Sequence, residues 1–262
     1  MRFFDTHAHY TDDRFTEEFE GGVDALLNEV FSSDVKYIVN TATNNENALR
    51  VTEMAARYEN MFATAGIHPE DCLHLDNIDT EIKTLTSLLE RKEELKIVAL
   101  GEIGLDYYWD TEHKELQKDY FNRQLRLAVD YDLPVVIHDR EAHGDVFETL
   151  IKYPDVRGVL HSFSGSAEMA TELIKRGWYI SFSGVISFKN ARKTKEVAAV
   201  VPRDRILIET DAPYLAPHPM RGKLNRSDYL PFTLKAVAEA RNEDEESLAE
   251  AIFENSLRFF DK

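Results

Sequence analysis

Residues that staple small secreted scaffolds are almost missing from this chain. Its 262 residues hold one cysteine, Cys72, so no internal disulfide can form, and a cytoplasmic, reducing location is the expectation. There is no run of about 18 apolar residues, so no membrane-spanning helix and no membrane partner are expected. No basic segment leads into an apolar one near Met1, so no secretory signal is expected. Basic residues are scarce: 31 Lys and Arg face 48 Asp and Glu, for a net charge of −17. That balance disfavours non-specific binding to nucleic acid or to anionic membranes. Pro/Gly/Ser-rich linkers, low-complexity tracts and repeats are absent, so residues 1–262 read as a single domain.

What the chain does have is alternation. Short β-branched runs (Val35–Asn40, Met61–His68, Ile97–Glu102, Val135–His138, Arg157–His161, Trp178–Ser183, Arg205–Asp211) follow an opening strand that ends at His9. Between them lie helical patterns, the first expected as one long helix from Asp12 to Ser33. Helices near Leu230–Arg241 and Asp244–Phe259 close the chain, one more than the alternation needs. Eight strands alternating with helices predict an α/β fold, a single-domain (β/α)8 TIM barrel with an extra C-terminal helix. A doubly wound open sheet is the runner-up, weakened because no Gly-rich dinucleotide fingerprint follows the first strand.

Barrel active sites form at the C-terminal ends of strands. Here those ends carry His7 and His9, His68, Glu102, His138, His161 and Asp211. Side chains two apart on a strand share a face, so His7 pairs with His9, Glu102 continues the phase of Val98 and Leu100, and Asp211 that of Leu207 and Glu209. Four of these five imidazoles and the two carboxylates can hold two divalent ions, and the lack of thiolates argues against a closed structural zinc site.

The segments Phe4-Asp5-Thr6-His7-Ala8-His9, Gly66-Ile67-His68-Pro69, Gly101 through Tyr108, Pro134 through His138, His161 through Gly165 and Glu209 through Leu215 run in an order and spacing that resemble the TatD family of metal-dependent deoxyribonucleases, within the amidohydrolase-like hydrolases. The resemblance covers essentially the whole chain. It implies a barrel hydrolase with one or two divalent cations, whose ligand positions fall on His7, His9, Glu102, His138, His161 and Asp211. Relatives described as nucleases act on DNA from the 3′ end or internally, usually with Mg²⁺. The basic loop after strand eight, residues 217–226, departs from the family pattern: Leu224-Asn225-Arg226-Ser227 stand where Arg-Asn-Glu-Pro is usual.

The roles expected on this basis are specific. His7, His9 and Asp211 hold one ion, His138 and His161 a second, and Glu102 bridges them. Asp211 also orients or deprotonates the attacking water, which makes Asp211 and Glu102 the catalytic carboxylates. His68, Arg140, Arg221 and Lys223 are expected to contact substrate, the last three as phosphate donors. Glu209 and Asp5 are expected to orient ligand histidines from behind. Tyr107, Tyr108, Trp109 and Phe163 are expected either to stack on bases of a single strand or to pack against loops. The activity expected is that of a 3′-5′ exodeoxyribonuclease on single-stranded or frayed DNA, with Mg²⁺ or Mn²⁺ favoured and Zn²⁺ admitted. The alternatives are hydrolysis of another ester or amide, such as a lactone or a D-aminoacyl-tRNA, and a non-enzymatic metal-binding scaffold.

Overall fold

Strands of a parallel sheet are covered on both faces, so their sequences run continuously apolar rather than alternating. The computed structural model describes residues 1–75 and 77–262. In it the strands are β1 (Phe3–Ala8), β2 (Val35–Asn40), β3 (Met61–Ala65), β4 (Ile97–Asp106), β5 (Val135–Arg140), β6 (Gly158–Leu160), β7 (Tyr179–Phe182) and β8 (Ile206–Ile208). The helices are α1 (Arg14–Glu17), α2 (Gly22–Phe31), α3 (Asn45–Arg57), α4 (Ile78–Leu89), α5 (Lys114–Asp130), α6 (His143–Leu150), α7 (Ala167–Ile174), α8 (Arg192–Val200), α9 (Leu230–Arg241) and α10 (Glu245–Phe260). The eight strands lie in chain order in one sheet and, with their interleaved helices, form a (β/α)8 barrel.

Two compact units make up the chain, residues 1–40 with 161–262, and residues 41–160. In the first, β1 pairs in parallel with β2 and β7 with β8. The two ends of the sheet also meet there. The Asp211 N–H donates to the His7 carbonyl at 2.9 Å and the His9 N–H to the Ala212 carbonyl at 2.7 Å. Phe4, on β1, packs on Tyr37 of β2 and on Phe253 and Phe260 of α10, with ring centroids 5.3, 6.5 and 5.5 Å away. The extra C-terminal helix therefore covers one face of β1. In the second unit β3, β4, β5 and β6 pair in parallel. Beside them Ile67, Cys72 and Tyr120 form a small buried cluster with Leu75, Ile78, Ile82 and Leu116. Side-chain caps start several helices: Asn44, Ser166 and Asp244 accept the N–H groups of Asn47, Met169 and Ser247.

Several boundaries differ from the sequence reading, and three of them are informative. The helix expected from Asp12 to Ser33 breaks into α1 and α2, because Gly21 and Gly22 turn left-handed at φ +87° and +71°. Strand β4 continues past Glu102 to Asp106. Gly104, at φ +149°, allows this, since a Cβ there would sit 2.0 Å from the His138 carbonyl oxygen of neighbouring β5. Strand β8 stops at Ile208, and by Asp211 the backbone has turned to φ +58°.

Candidate metal centre

In the unit of residues 1–40 and 161–262, three side chains converge. His7 Nε2 lies 3.0 Å from His9 Nε2, and these atoms are 3.6 and 3.4 Å from Asp211 Oδ1. Ligand atoms bonded at about 2.0–2.1 Å around one ion sit roughly 3.0–3.4 Å apart, so the spacing suits a shared divalent cation. Burial alone would raise the Asp211 carboxyl. The His9 hydrogen bond and the fields of His7 and His161 outweigh burial and hold it below the usual carboxylate range. His161 stacks on His7, ring centroids 4.2 Å apart and nearly parallel. Its Nδ1 is 3.2 Å from Glu209 Oε1, which also accepts the Ser162 N–H at 2.7 Å. Glu209 thus stands behind the His161 imidazole.

Asp5 takes a different task from the one expected. Its carboxylate accepts the Thr210 and Ser227 hydroxyls, each at 2.6 Å, and the Thr210 N–H at 3.0 Å. Burial pushes its carboxyl up to about 6, against these hydrogen bonds. It therefore braces the segment that carries Asp211 instead of an imidazole ring, because the side chain lies level with the turn after β8. Asn225 completes that brace, donating to the carbonyls of Thr210 and Tyr214. Arg226 is held by Asp228 and Glu29, whereas Arg221 lies exposed with its guanidinium 4.4 Å over the Phe188 ring. Lys223 is exposed as well.

In the unit of residues 41–160 a second group forms from His68, Glu102 and His138, whose ligand atoms all lie within 4.8 Å of one another. His138 Nδ1 is 2.7 Å from Glu102 Oε1, and His138 Nε2 is 2.9 Å from Asp106 Oδ2. Burial would raise the Asp106 carboxyl, but His138 and the N–H groups of Trp109 and Tyr108 hold it low. An ionised carboxylate only accepts, so Nε2 carries a proton toward Asp106. Nδ1 and Glu102 Oε1 then share a cation, which in a neutral ring would be a metal ion and in an imidazolium a proton. His68 brings its Nε2 to 3.6 Å from the same Glu102 oxygen, while its Nδ1 accepts the Glu70 N–H at 3.2 Å. One nitrogen of His68 thus caps its own turn and the other joins the ligand group.

The sequence offers two readings of Asp106, a residue that lines the cleft or a turn residue that needs no function, and neither pairs it with His138. Its signal was the period of two that selected Glu102, since Glu102, Gly104 and Asp106 share a phase along β4. The pairing of Asp139 Oδ2 with His143 Nδ1 at 2.8 Å was also unread, because residues four apart across a strand-to-helix turn have no fixed spacing rule. Arg140 is exposed at the end of β5.

Oxygen and imidazole donors, without thiolate, gathered at the C-terminal ends of barrel strands define a class: the barrel hydrolases that work with divalent metal. A family model described as TatD related DNase matches residues 4–261. The chain is 38% identical over 260 residues to a protein of Bacillus subtilis named uncharacterized metal-dependent hydrolase YabD, covering 98% of each. To the metal-dependent hydrolase YcfH of Escherichia coli K12, also called uncharacterized, it is 34% identical, covering 99% of this chain and 96% of that one. The crystal structure of YjjV, a TatD homologue from Escherichia coli, superposes with a TM-score of 0.91 at 33% identity, covering 100% of this chain and 98% of that one. The chain belongs to the TatD family of metal-dependent hydrolases. Among the described residues no helix is long and apolar enough to cross a membrane.

Proposed function

We propose that this hydrolase is a 3′-5′ exodeoxyribonuclease that cleaves DNA phosphodiester bonds, acting in the cytoplasm on single-stranded or frayed ends. The observation that carries the reading is the pair of three-donor groups, His7–His9–Asp211 and His68–Glu102–His138. In this reading two divalent ions, Mg²⁺ or Mn²⁺ with Zn²⁺ also accommodated, would be the cofactors, and Glu102 would be a ligand beside His68 and His138. Such ions supply Lewis acidity that makes bound water a nucleophile at neutral pH and offsets charge on phosphate oxygens.

The chain's own residues do the rest. Asp211, held ionised, would accept the proton of the attacking water. Glu209 keeps the His161 ring oriented. Arg140, Arg221 and Lys223 bind phosphate, and their charge offsets the repulsion that a chain of net charge −17 exerts on DNA.

The test is degradation of 3′-labelled and 5′-labelled single-stranded DNA with Mg²⁺ or Mn²⁺, with EDTA and His161→Ala as controls. Metal-dependent loss of nucleotides from the 3′ end is expected. Turnover of a lactone or an aminoacyl ester without any DNA cleavage would replace this reading with the other hydrolase chemistry.

A further inference from the structure

The turn after β4 leaves two large rings in solvent, Tyr108 at 56% exposure and Trp109 at 62%. Their ring centroids lie 4.9 Å apart, edge to face. The Arg140 guanidinium, from the end of β5, sits 3.9 Å over the Tyr108 ring and 5.5 Å from the Trp109 ring. The neighbouring aromatics are already committed. The Tyr107 hydroxyl donates to Asp145 at 2.6 Å, Lys114 lies over the Tyr107 ring, and Phe163 is buried.

Arg140 is a cation without an ion-pair partner among the described residues, in a chain with 48 acidic residues. Stacking occupies only the face of its guanidinium and leaves the N–H edge available to an anion. Exposed rings beside such an edge suit a ligand that is flat and aromatic at one end and anionic at the other.

A single carboxylate ties this platform to the metal-ligand candidates. Asp106 Oδ1 accepts the N–H groups of Tyr108 and Trp109 at 2.9 and 3.0 Å, while Oδ2 lies 2.9 Å from His138 Nε2. The backbone that carries the two rings is thereby fixed relative to His138. A ligand seated on them is placed relative to the atoms that would act on it.

We propose that Trp109, Tyr108 and Arg140 form a nucleotide subsite, in which an unpaired nucleobase stacks on Trp109 and its phosphate takes N–H bonds from Arg140. The inference rests on the phosphodiesterase reading and narrows its substrate to strands whose bases are free to leave a stack. Every base has a π face, so the subsite tolerates any sequence. A lactone offers nothing to stack.

The protein supplies its own reporter, because it has two tryptophans and Trp178 is buried. The probes are a phosphorothioate (dT)6, which resists cleavage, and an abasic hexamer with the same backbone, both titrated into the full-length protein with Mn²⁺. The (dT)6 oligomer should quench indole emission in the wild type and not in Trp109→Phe, and the abasic hexamer should not quench it. Trp109→Ala should weaken (dT)6 binding about 5- to 150-fold and change abasic binding by less than twofold. Arg140→Gln should weaken both oligomers by similar factors. Equal weakening of both by Trp109→Ala, or bound (dT)6 without quenching, overturns the subsite. Wild-type cleavage of ordinary DNA is scored separately. Cleavage that ignores Trp109 rejects the subsite and keeps the nuclease, while Trp109-dependent binding without cleavage supports the subsite and rejects the nuclease.

Discussion

Replacing Asp106 by Asn would change one atom of the His138 support and leave its frame standing. The backbone of residue 106 is pinned independently, since its N–H donates to Gln117 Oε1 at 2.9 Å and its carbonyl accepts from Gln117 Nε2 at 3.0 Å. An Asn carbonyl oxygen can keep both N–H bonds from Tyr108 and Trp109, which outnumber the single contact on the other side. Its NH2 must then donate to His138 Nε2, which moves the ring proton to Nδ1, the nitrogen 2.7 Å from Glu102. A protonated Nδ1 cannot ligate. Metal affinity at the His68–Glu102–His138 group should fall about 10- to 100-fold, the range found when a ligand's supporting carboxylate is changed. Asp106→Ala should also lose the turn bonds, costing about 2–4 kcal/mol, or roughly 4–16 °C in Tm for a chain of this size. Calorimetric titration with Mn²⁺ reads the affinity, and ¹⁵N NMR of the His138 ring reads the tautomer directly. Unchanged affinity for Asp106→Asn, with the proton still on Nε2, would refute the reasoning.

Gly104→Ala should be among the costliest single methyl additions, because the new Cβ would meet the His138 carbonyl oxygen at 2.0 Å in a backbone conformation at φ +149°. A loss above about 3 kcal/mol is expected, and a melt within 2 °C of wild type would show that β4 and β5 slide apart freely. Burial pushes the Cys72 thiol well above its ordinary range, so the thiolate is scarce. Labelling by a disulfide reagent at pH 8 should be slow in the native protein and fast in denaturant; fast native labelling would contradict the buried cluster. Asp12 accepts hydrogen bonds from the Arg14 side chain at 2.8 and 2.7 Å, which hold its carboxyl below its ordinary value. Its folded value is depressed, so the stabilisation is present above the unfolded value of about 3.9 and is lost as pH falls through the folded one. The pair is partly exposed, so the gain is below about 1 kcal/mol. Urea midpoints of wild type and Asp12→Asn should therefore converge between pH 5 and pH 2, and divergence on acidification would reverse the sign assigned here.

Much of the fold was legible because a βα repeat needs few signals. Apolar runs such as Ile97–Leu100 and Val135–Ile137 are strands because parallel pairing buries both faces, and Pro134 marks the start of one of them. Helix breaks were less legible. The Gly21–Gly22 pair splits a stretch whose apolar spacing alone argues for one helix, and the left-handed backbone there is a tertiary choice. The end of β4 was misjudged for a similar reason. Whether a strand continues past Glu102 depends on how closely its neighbour approaches, and Gly104 allows an approach that no local pattern records.

His7-Ala8-His9 shows the division most clearly. Its own spacing places two imidazoles on one face, and the sequence by itself settles that much, along with the eightfold alternation and the absence of thiol ligands. That Asp211 joins them, more than two hundred residues on, was decided by the hydrogen bonds between β1 and the turn after β8. Only tertiary structure assigned Asp5 to bracing that turn, turned Asp106 into the partner of His138 and left Trp109 in solvent. The physical reason is range. Strand phase and helix period act over a few residues and can be read from the chain, whereas a carboxylate's partner is chosen by whichever backbone or ring the finished barrel brings within about 3 Å.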